Sequence, residues 1–181
     1  MKTLAYYLLG IFSLCLLNAC SDEDNPTPEP PPSKGQEEVQ KIVEVLKESN
    51  FKVLEGKRVG LITNATGVDN NLKSTVDILS EAPNVQLVAL YAPEHGVRGD
   101  IYAGDKVEDT IDPKTGIPVY SLYGKKREMF ASMMKDIDVL VYDIQDIGCR
   151  SYTFISTMGQ AMQTAAENNL EFVVLDRPNP L

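Results

Sequence analysis

The sequence predicts an α/β fold, an open and mostly parallel sheet with helices on both faces. Two observations carry that prediction. Short aliphatic runs alternate along the chain with segments of helical periodicity. The runs are near-continuous, without the in–out alternation of a sheet that has one wet face, so each strand is covered on both sides. Strands joined by helical crossovers are parallel, and the crossovers are right-handed.

The folded part is preceded by about 35 residues of a different kind. Lys2 provides a short positive start, and an apolar run extends from Leu4 to Leu17, broken by Gly10 and Ser13. Leu17-Asn18-Ala19-Cys20 then closes it, with a small residue directly before cysteine. This order of features is that of a lipoprotein signal peptide over residues 1–19, with Cys20 as the lipid acceptor. The apolar core is too short for a comfortable membrane span. Several acyl chains at one terminus give stable anchoring, so the membrane is an expected partner through the lipid alone. Residues 20–35 read as a tether: Ser21 to Asn25 is acidic, and Pro26 to Ser33 (PTPEPPPS) favours extended polyproline geometry. An acidic run directly after the cysteine also resembles a surface-export signal. The expected location is the cell envelope, at the outer membrane.

From Gln36 the pattern turns helical, with Val39, Ile42, Val43 and Leu46 on one stripe. Arg58 to Thr63 (RVGLIT) reads as a strand and Leu72 to Glu81 as a helix. Val85 to Tyr91 is a strand, and Ile117 to Ser121 a shorter one. Lys126 to Lys135 reads as helix, Val139 to Ile144 (VLVYDI) as strand, and Thr153 to Asn168 as a longer helix. Glu171 to Leu175 ends the series. Residues 36–181 thus form a Rossmann-like βαβ succession with no internal repeat. The sequence stops at Leu181, directly after a strand and a proline-rich turn, where a crossover helix would follow. The expectation is an incomplete domain.

The net charge of −9 includes Lys2, which leaves with the signal, so the mature chain is more acidic still. An acidic chain without a basic run argues against a nucleic-acid partner. Of three cysteines, Cys15 leaves with the signal, Cys20 is lipidated, and Cys149 remains as a thiol expected to pack as a small residue. Neither a G-x-G-x-x-G nor a G-x-S-x-G is present, and Gly56-Lys57-Arg58 precedes a strand rather than following one. A nucleotide cofactor and a serine nucleophile are therefore not expected. The chain's single histidine has no second histidine or cysteine at ligand spacing, which gives no metal site.

Ligands of open α/β sheets bind outside the carboxyl ends of the strands. The segments found there are Asn64-Ala65-Thr66-Gly67, Pro93 to Gly99 (PEHGVRG), Gln145 to Tyr152 (QDIGCRSY) with Asp143 just inside its strand, and Asp176-Arg177-Pro178. All the polar and glycine-containing loops fall on one edge. Glu94 is the best placed for proton chemistry; His95 beside it is a second catalytic candidate, to orient substrate or carry a proton, and Arg98 and Asp176 are candidate substrate contacts. Desolvation would raise the Glu94 pKa and Arg98 would lower it, and the residues alone do not decide between them. Asp143 and Asp146 offer the second carboxylate that glycoside hydrolysis uses. Alternatively, Asp143 pairs with Arg150 and Asp146 caps the following segment. Arg150 and Arg177 hold an anionic group, or else serve as ion-pair partners of Asp143 and Asp176. Tyr152 stacks on a sugar or simply packs.

The motifs TNATG (63–67), YAPEHGVRGD (91–100), Gly104-Asp105, TGIPVYSLYG (115–124), DVLVYDIQDIGCRSYTFISTM (138–158) and VVLDRPNP (173–180) together resemble the NamZ-type exo-β-N-acetylmuramidases. The resemblance runs from about Lys52 to the end. It implies a Rossmann-like catalytic domain followed by a smaller C-terminal domain, which is absent from this sequence. It implies release of N-acetylmuramic acid from non-reducing ends of peptidoglycan fragments, without a cofactor. The glutamate of the family's PEHG motif, its proposed catalytic residue, is Glu94 here. His95, Asn64, Asp143, Gln145, Asp146, Arg150 and Tyr152 match positions lining the family's cleft. The lactyl carboxylate of muramic acid would give Arg150 or Arg177 a partner. A different class of function also fits an anchored fragment, namely a surface glycan-binding lipoprotein without turnover.

Overall fold

The computed structural model describes Val43 and residues 45–102, 108–122, 133–177 and 179. Its elements are β1 (Arg58–Thr63), α1 (Thr75–Glu81), β2 (Gln86–Ala92), β3 (Thr110–Ile111), β4 (Pro118–Ser121), β5 (Val139–Asp143), α2 (Phe154–Glu167) and β6 (Glu171–Val174). A short 3₁₀ turn, Lys52–Leu54, leads into β1. The six strands form one sheet in the order β3-β4-β2-β1-β5-β6. Every pairing is parallel except β3 with β4.

Alternation along the central strands separates two apolar cores. Val59 and Leu61 of β1, Leu90 and Ala92 of β2, and Val139 and Val141 of β5 point to one face, where Val76 and Leu79 of α1 cover them. Ile62, Tyr91, Leu140 and Tyr142 point to the other, against Phe154, Ala161 and Ala165 of α2. The sheet is therefore covered on both sides, as its unbroken aliphatic strands require. Each valine, leucine, isoleucine or phenylalanine among them, fully withdrawn from water, contributes roughly 1.5–3 kcal/mol. A register shift between β1 and β2 falls at Val59/Gly60, and it leaves Leu87 and Leu90 on the same face. Val43 and Leu46 join the α1 side of the core, as their helical spacing predicts.

One expected element changes, one strand is new, and some expectations fall outside the described residues. The helix proposed from Leu72 begins only at Thr75. Leu72 is 80% exposed with φ 61°, because Asp69 gathers the N–H groups of Asn71 and Lys73 into a tight polar loop. Ser74, accepting from the Asp77 N–H, is the N-cap. The antiparallel edge strand β3 was not predicted, since two residues carry no periodicity. The helix expected at Lys126–Lys135 lies mostly outside the described residues, as do the signal peptide and tether. Among the described residues, no helix is long and apolar enough to cross a membrane.

Candidate active site

The chain leaves β1 in one direction for β2 and β4, then returns to place β5 on the other side of β1. The topological switch point therefore lies between β1 and β5, and the crevice outside their carboxyl ends is where such folds bind ligands. Hydrogen bonds lock the loops around it. Asn64 Oδ1 accepts from the Thr66 N–H and from the Thr66 hydroxyl at 2.6 Å, closing the turn after β1. The same Thr66 oxygen accepts the Gln145 N–H at 2.9 Å, which ties the loop after β5 to the loop after β1. Gly67 is required here. A Cβ at that position would lie 2.2 Å from Thr63 Oγ1 and 3.2 Å from Asp143 Oδ2.

Asp143 is fully buried and its carboxylate is the hub of this edge. It accepts from Arg177 Nε at 2.7 Å, from Arg177 Nη2 at 3.2 Å and from the Thr75 hydroxyl at 2.5 Å. Arg177 also donates to the Val68 carbonyl at 3.2 Å. One ion pair thus joins β5, the loop after β6, the loop after β1 and the first turn of α1. Asp143 and Arg177 are accordingly not free to hold a substrate, and the alternative pairing of Asp143 with Arg150 does not form. Arg177 reaches Asp143 because β6 lies beside β5 and ends level with it.

Arg98 is likewise committed. It donates from Nε to Asp112 at 2.6 Å, from Nη2 to Asp112 at 2.9 Å, and from Nη2 to Asp77 at 3.1 Å. The forked hydrogen bond from Arg98 holds the Asp112 carboxyl far below the usual carboxylate range, against the opposing effect of burial. At Asp77 burial pushes the pKa up, but hydrogen bonds from Lys114, Arg98 and Ser74 more than offset it, and the net direction is down. The expectation that Arg98 bears on Glu94 or on substrate gives way to a positioning role. The arginine pins the loop after β2 to α1 and to the segment leading into β4. That loop is sharply folded, with φ 74° at His95, 79° at Gly96 and 74° at Gly99. Gly99 packs so closely that a Cβ would stand 2.7 Å from the Ala65 Cβ. His95 donates from Nδ1 to the Ile101 carbonyl at 3.1 Å, since a carbonyl can only accept.

Glu94 is half-buried and has no hydrogen-bond or ion-pair partner among the described residues. It lines a cleft of about 240 Å³ with Pro93, Leu122, Thr153, Ser156, Thr157 and Gln160. Glu94 is the single carboxylate among those lining residues. Asp146 is half-buried and accepts the Gly148 N–H, so it caps its own loop. Gln145 donates from Nε2 to the Asp146 carbonyl at 2.8 Å. Arg150 and Asp176 are exposed, with no partner among the described residues. Tyr152 is 47% exposed and meets Phe154 edge-on at 5.8 Å. Cys149, expected to pack, is exposed instead. It follows Gly148 at φ 70° in a loop outside the sheet, and its Sγ lies 3.1 Å from the Ser151 hydroxyl, which lowers the thiol pKa.

Several participants were not singled out in the sequence. Thr75, Asp77 and Asp112 are ordinary polar residues until the sheet brings their partners from far along the chain. Thr153, Ser156, Thr157 and Gln160 did carry a signal, a polar stripe at i, i+3, i+4 and i+7 of a helix. Among the described residues, no group of three or more histidine, cysteine or acidic side chains could hold a metal ion.

A mostly parallel sheet with an interlocked carboxyl edge, a switch-point crevice and a glutamate unpaired among the described residues in a polar cleft defines an α/β domain of Rossmann-like type. The chain belongs to the family described as exo-beta-N-acetylmuramidase NamZ, N-terminal, whose model matches residues 59–181. It is 50% identical over 182 residues to the peptidoglycan beta-N-acetylmuramidase NamZ of Bacillus subtilis (strain 168), covering 99% of this chain and 42% of that protein. Two crystal structures of DUF1343 family proteins from Bacteroides fragilis NCTC 9343 share the fold. The first is 73% identical with a TM-score of 0.70, covering 77% of this chain and 34% of its own. The second is 40% identical with a TM-score of 0.61, covering 74% and 33%. The chain thus spans less than half the length of these relatives.

Proposed function

We propose that this chain forms the Rossmann-like part of a glycosidase that releases N-acetylmuramic acid from the non-reducing ends of peptidoglycan fragments. In this reading Glu94 is the general acid. The observation that carries it is the half-buried Glu94 carboxylate, unpaired among the described residues, on the wall of a cleft at the sheet's carboxyl edge. Membership of the muramidase family supports the substrate class. An acid in this position donates its proton to the departing glycosidic oxygen as that bond breaks; water adds at the anomeric carbon, and its released proton makes good the one donated. His95, next in sequence and held by Ile101, orients the turn that presents Glu94. Exposed Arg150, two residues before Tyr152, is the candidate cation for the lactyl carboxylate. Lipidation at Cys20 keeps the domain at the envelope, near its polymeric substrate, and Cys20→Ser then abolishes acyl labelling of the chain.

The test is sugar release from a fragment with a terminal N-acetylmuramic acid. Glu94→Gln should lower turnover by about 10²–10⁴-fold, with an unchanged thermal transition. Wild-type turnover in that variant removes Glu94 from the chemistry. No release by the wild-type protein removes the activity from this chain.

A further inference from the structure

One wall of the Glu94 cleft is a polar helix face on which Ser156 and Gln160 are exposed to the cleft and to solvent. Thr153, Ser156, Thr157 and Gln160 recur at helical spacing along the start of α2 and all line the cleft. The helix buries a different stripe, Phe154, Ala161 and Ala165, in the core. The polar stripe is therefore not needed to hold the helix down. Thr157 donates its hydroxyl hydrogen to the Thr153 carbonyl at 3.2 Å, one turn back. The side chains of Ser156 and Gln160 have no partner among the described residues. Pro93 and Leu122 add apolar surface to the same cleft.

The chemistry of this wall is selective. A primary amide offers a donor and an acceptor in one plane, so it can engage one end of a trans secondary amide, its carbonyl or its N–H. A hydroxyl one turn before it adds a group that both donates and accepts. Beside them lies apolar surface that fits a methyl group or the C–H face of a sugar ring. A sugar carrying an acetamido group presents the complementary set: an N–H, a carbonyl, a methyl and neighbouring hydroxyls. We infer that Gln160 and Ser156 form the subsite that recognises the acetamido group of the sugar held against Glu94. Gln160 donates Nε2–H to the acetamido carbonyl, while Ser156 takes an adjacent ring hydroxyl. The inference rests on the glycosidase reading of Glu94 and makes Gln160 a specificity residue rather than a group in the chemistry.

The experiment compares the whole chain with Gln160→Leu and Ser156→Ala, using N-acetylmuramic acid and its N-deacetylated counterpart as binding probes and the N-acetylmuramyl fragment as substrate. Gln160→Leu should weaken binding of the N-acetylated sugar roughly tenfold, the size of one lost hydrogen bond to a ligand. It should leave binding of the deacetylated sugar unchanged, so that the preference between the two collapses. KM should rise with kcat nearly constant. Gln163→Leu, the same replacement three residues further along and outside the cleft lining, should do nothing. A purely structural role for Gln160 would weaken both sugars alike. Equal affinity of wild type and Gln160→Leu for the N-acetylated sugar, with sugar release intact, overturns the subsite and leaves the Glu94 reading standing. Failure of the wild-type chain both to bind and to release the sugar overturns both.

Discussion

Replacing Asp143 by alanine removes one half of an ion pair that the sheet edge has closed off from water. The side chain of Asp143 is 0% exposed and that of Arg177 6%. Three hydrogen bonds are lost, from Arg177 at 2.7 and 3.2 Å and from Thr75 at 2.5 Å, and among the described residues the guanidinium keeps only the Val68 carbonyl. Stranding a buried charge in this way destabilises by about 3–5 kcal/mol. For a domain of this size that corresponds to a fall in Tm of roughly 6–20 °C. Asp143→Asn keeps an oxygen acceptor for Arg177 and should lose clearly less. Asp143→Leu combined with Arg177→Met leaves no stranded charge, so the double variant should be more stable than the sum of the single losses, with a coupling of about 1–3 kcal/mol. Urea unfolding of these three variants, together with the Asp143→Leu and Arg177→Met single variants, measures this directly. An Asp143→Ala protein within about 1 kcal/mol of wild type would show that the pair does not hold the edge together.

Two further predictions concern the same edge. Gly67→Ala places a Cβ against Thr63 Oγ1 and Asp143, with no flexible chain end to yield, and should destabilise by about 1–3 kcal/mol in the same unfolding assay. The carboxyls of Asp112 and Asp77 are held below their unfolded values near ~3.9. Their stabilisation is therefore complete above about pH 4 and is lost as pH falls through the lower folded values. Tm should fall as the pH is lowered below about 4, and Arg98→Ala should flatten that acid-side slope. An unchanged slope in Arg98→Ala would mean that the arginine does not set these carboxyls.

The central strands were legible because each is a short aliphatic run, and burial on both faces leaves a composition that needs no partner to be recognised. The carboxyl edge was legible too, since loop polarity follows from strand order. The pairings across that edge were not. Asp143 could be matched in sequence with the nearby Arg150, yet the register of β5 and β6 brings Arg177 to it instead. Arg98 stands four residues from Glu94, yet its partners come from α1 and from the turn before β4. Local distance along the chain says little about which charge a folded sheet places nearby. The late start of α1 has the same cause at shorter range, because Asp69 satisfies backbone donors that a helix would otherwise engage.

The claim on which the functional account turns is that Glu94 donates a proton to the departing oxygen. Its most direct measurement compares Glu94→Gln with wild type on two N-acetylmuramides, one releasing a sugar alcohol and one releasing 4-nitrophenolate. A sugar alcohol needs the proton to depart, whereas the acidic phenol departs largely without it. The account predicts a loss of about 10²–10⁴-fold for the sugar and a much smaller one for the phenol. Equal losses on the two substrates would contradict it.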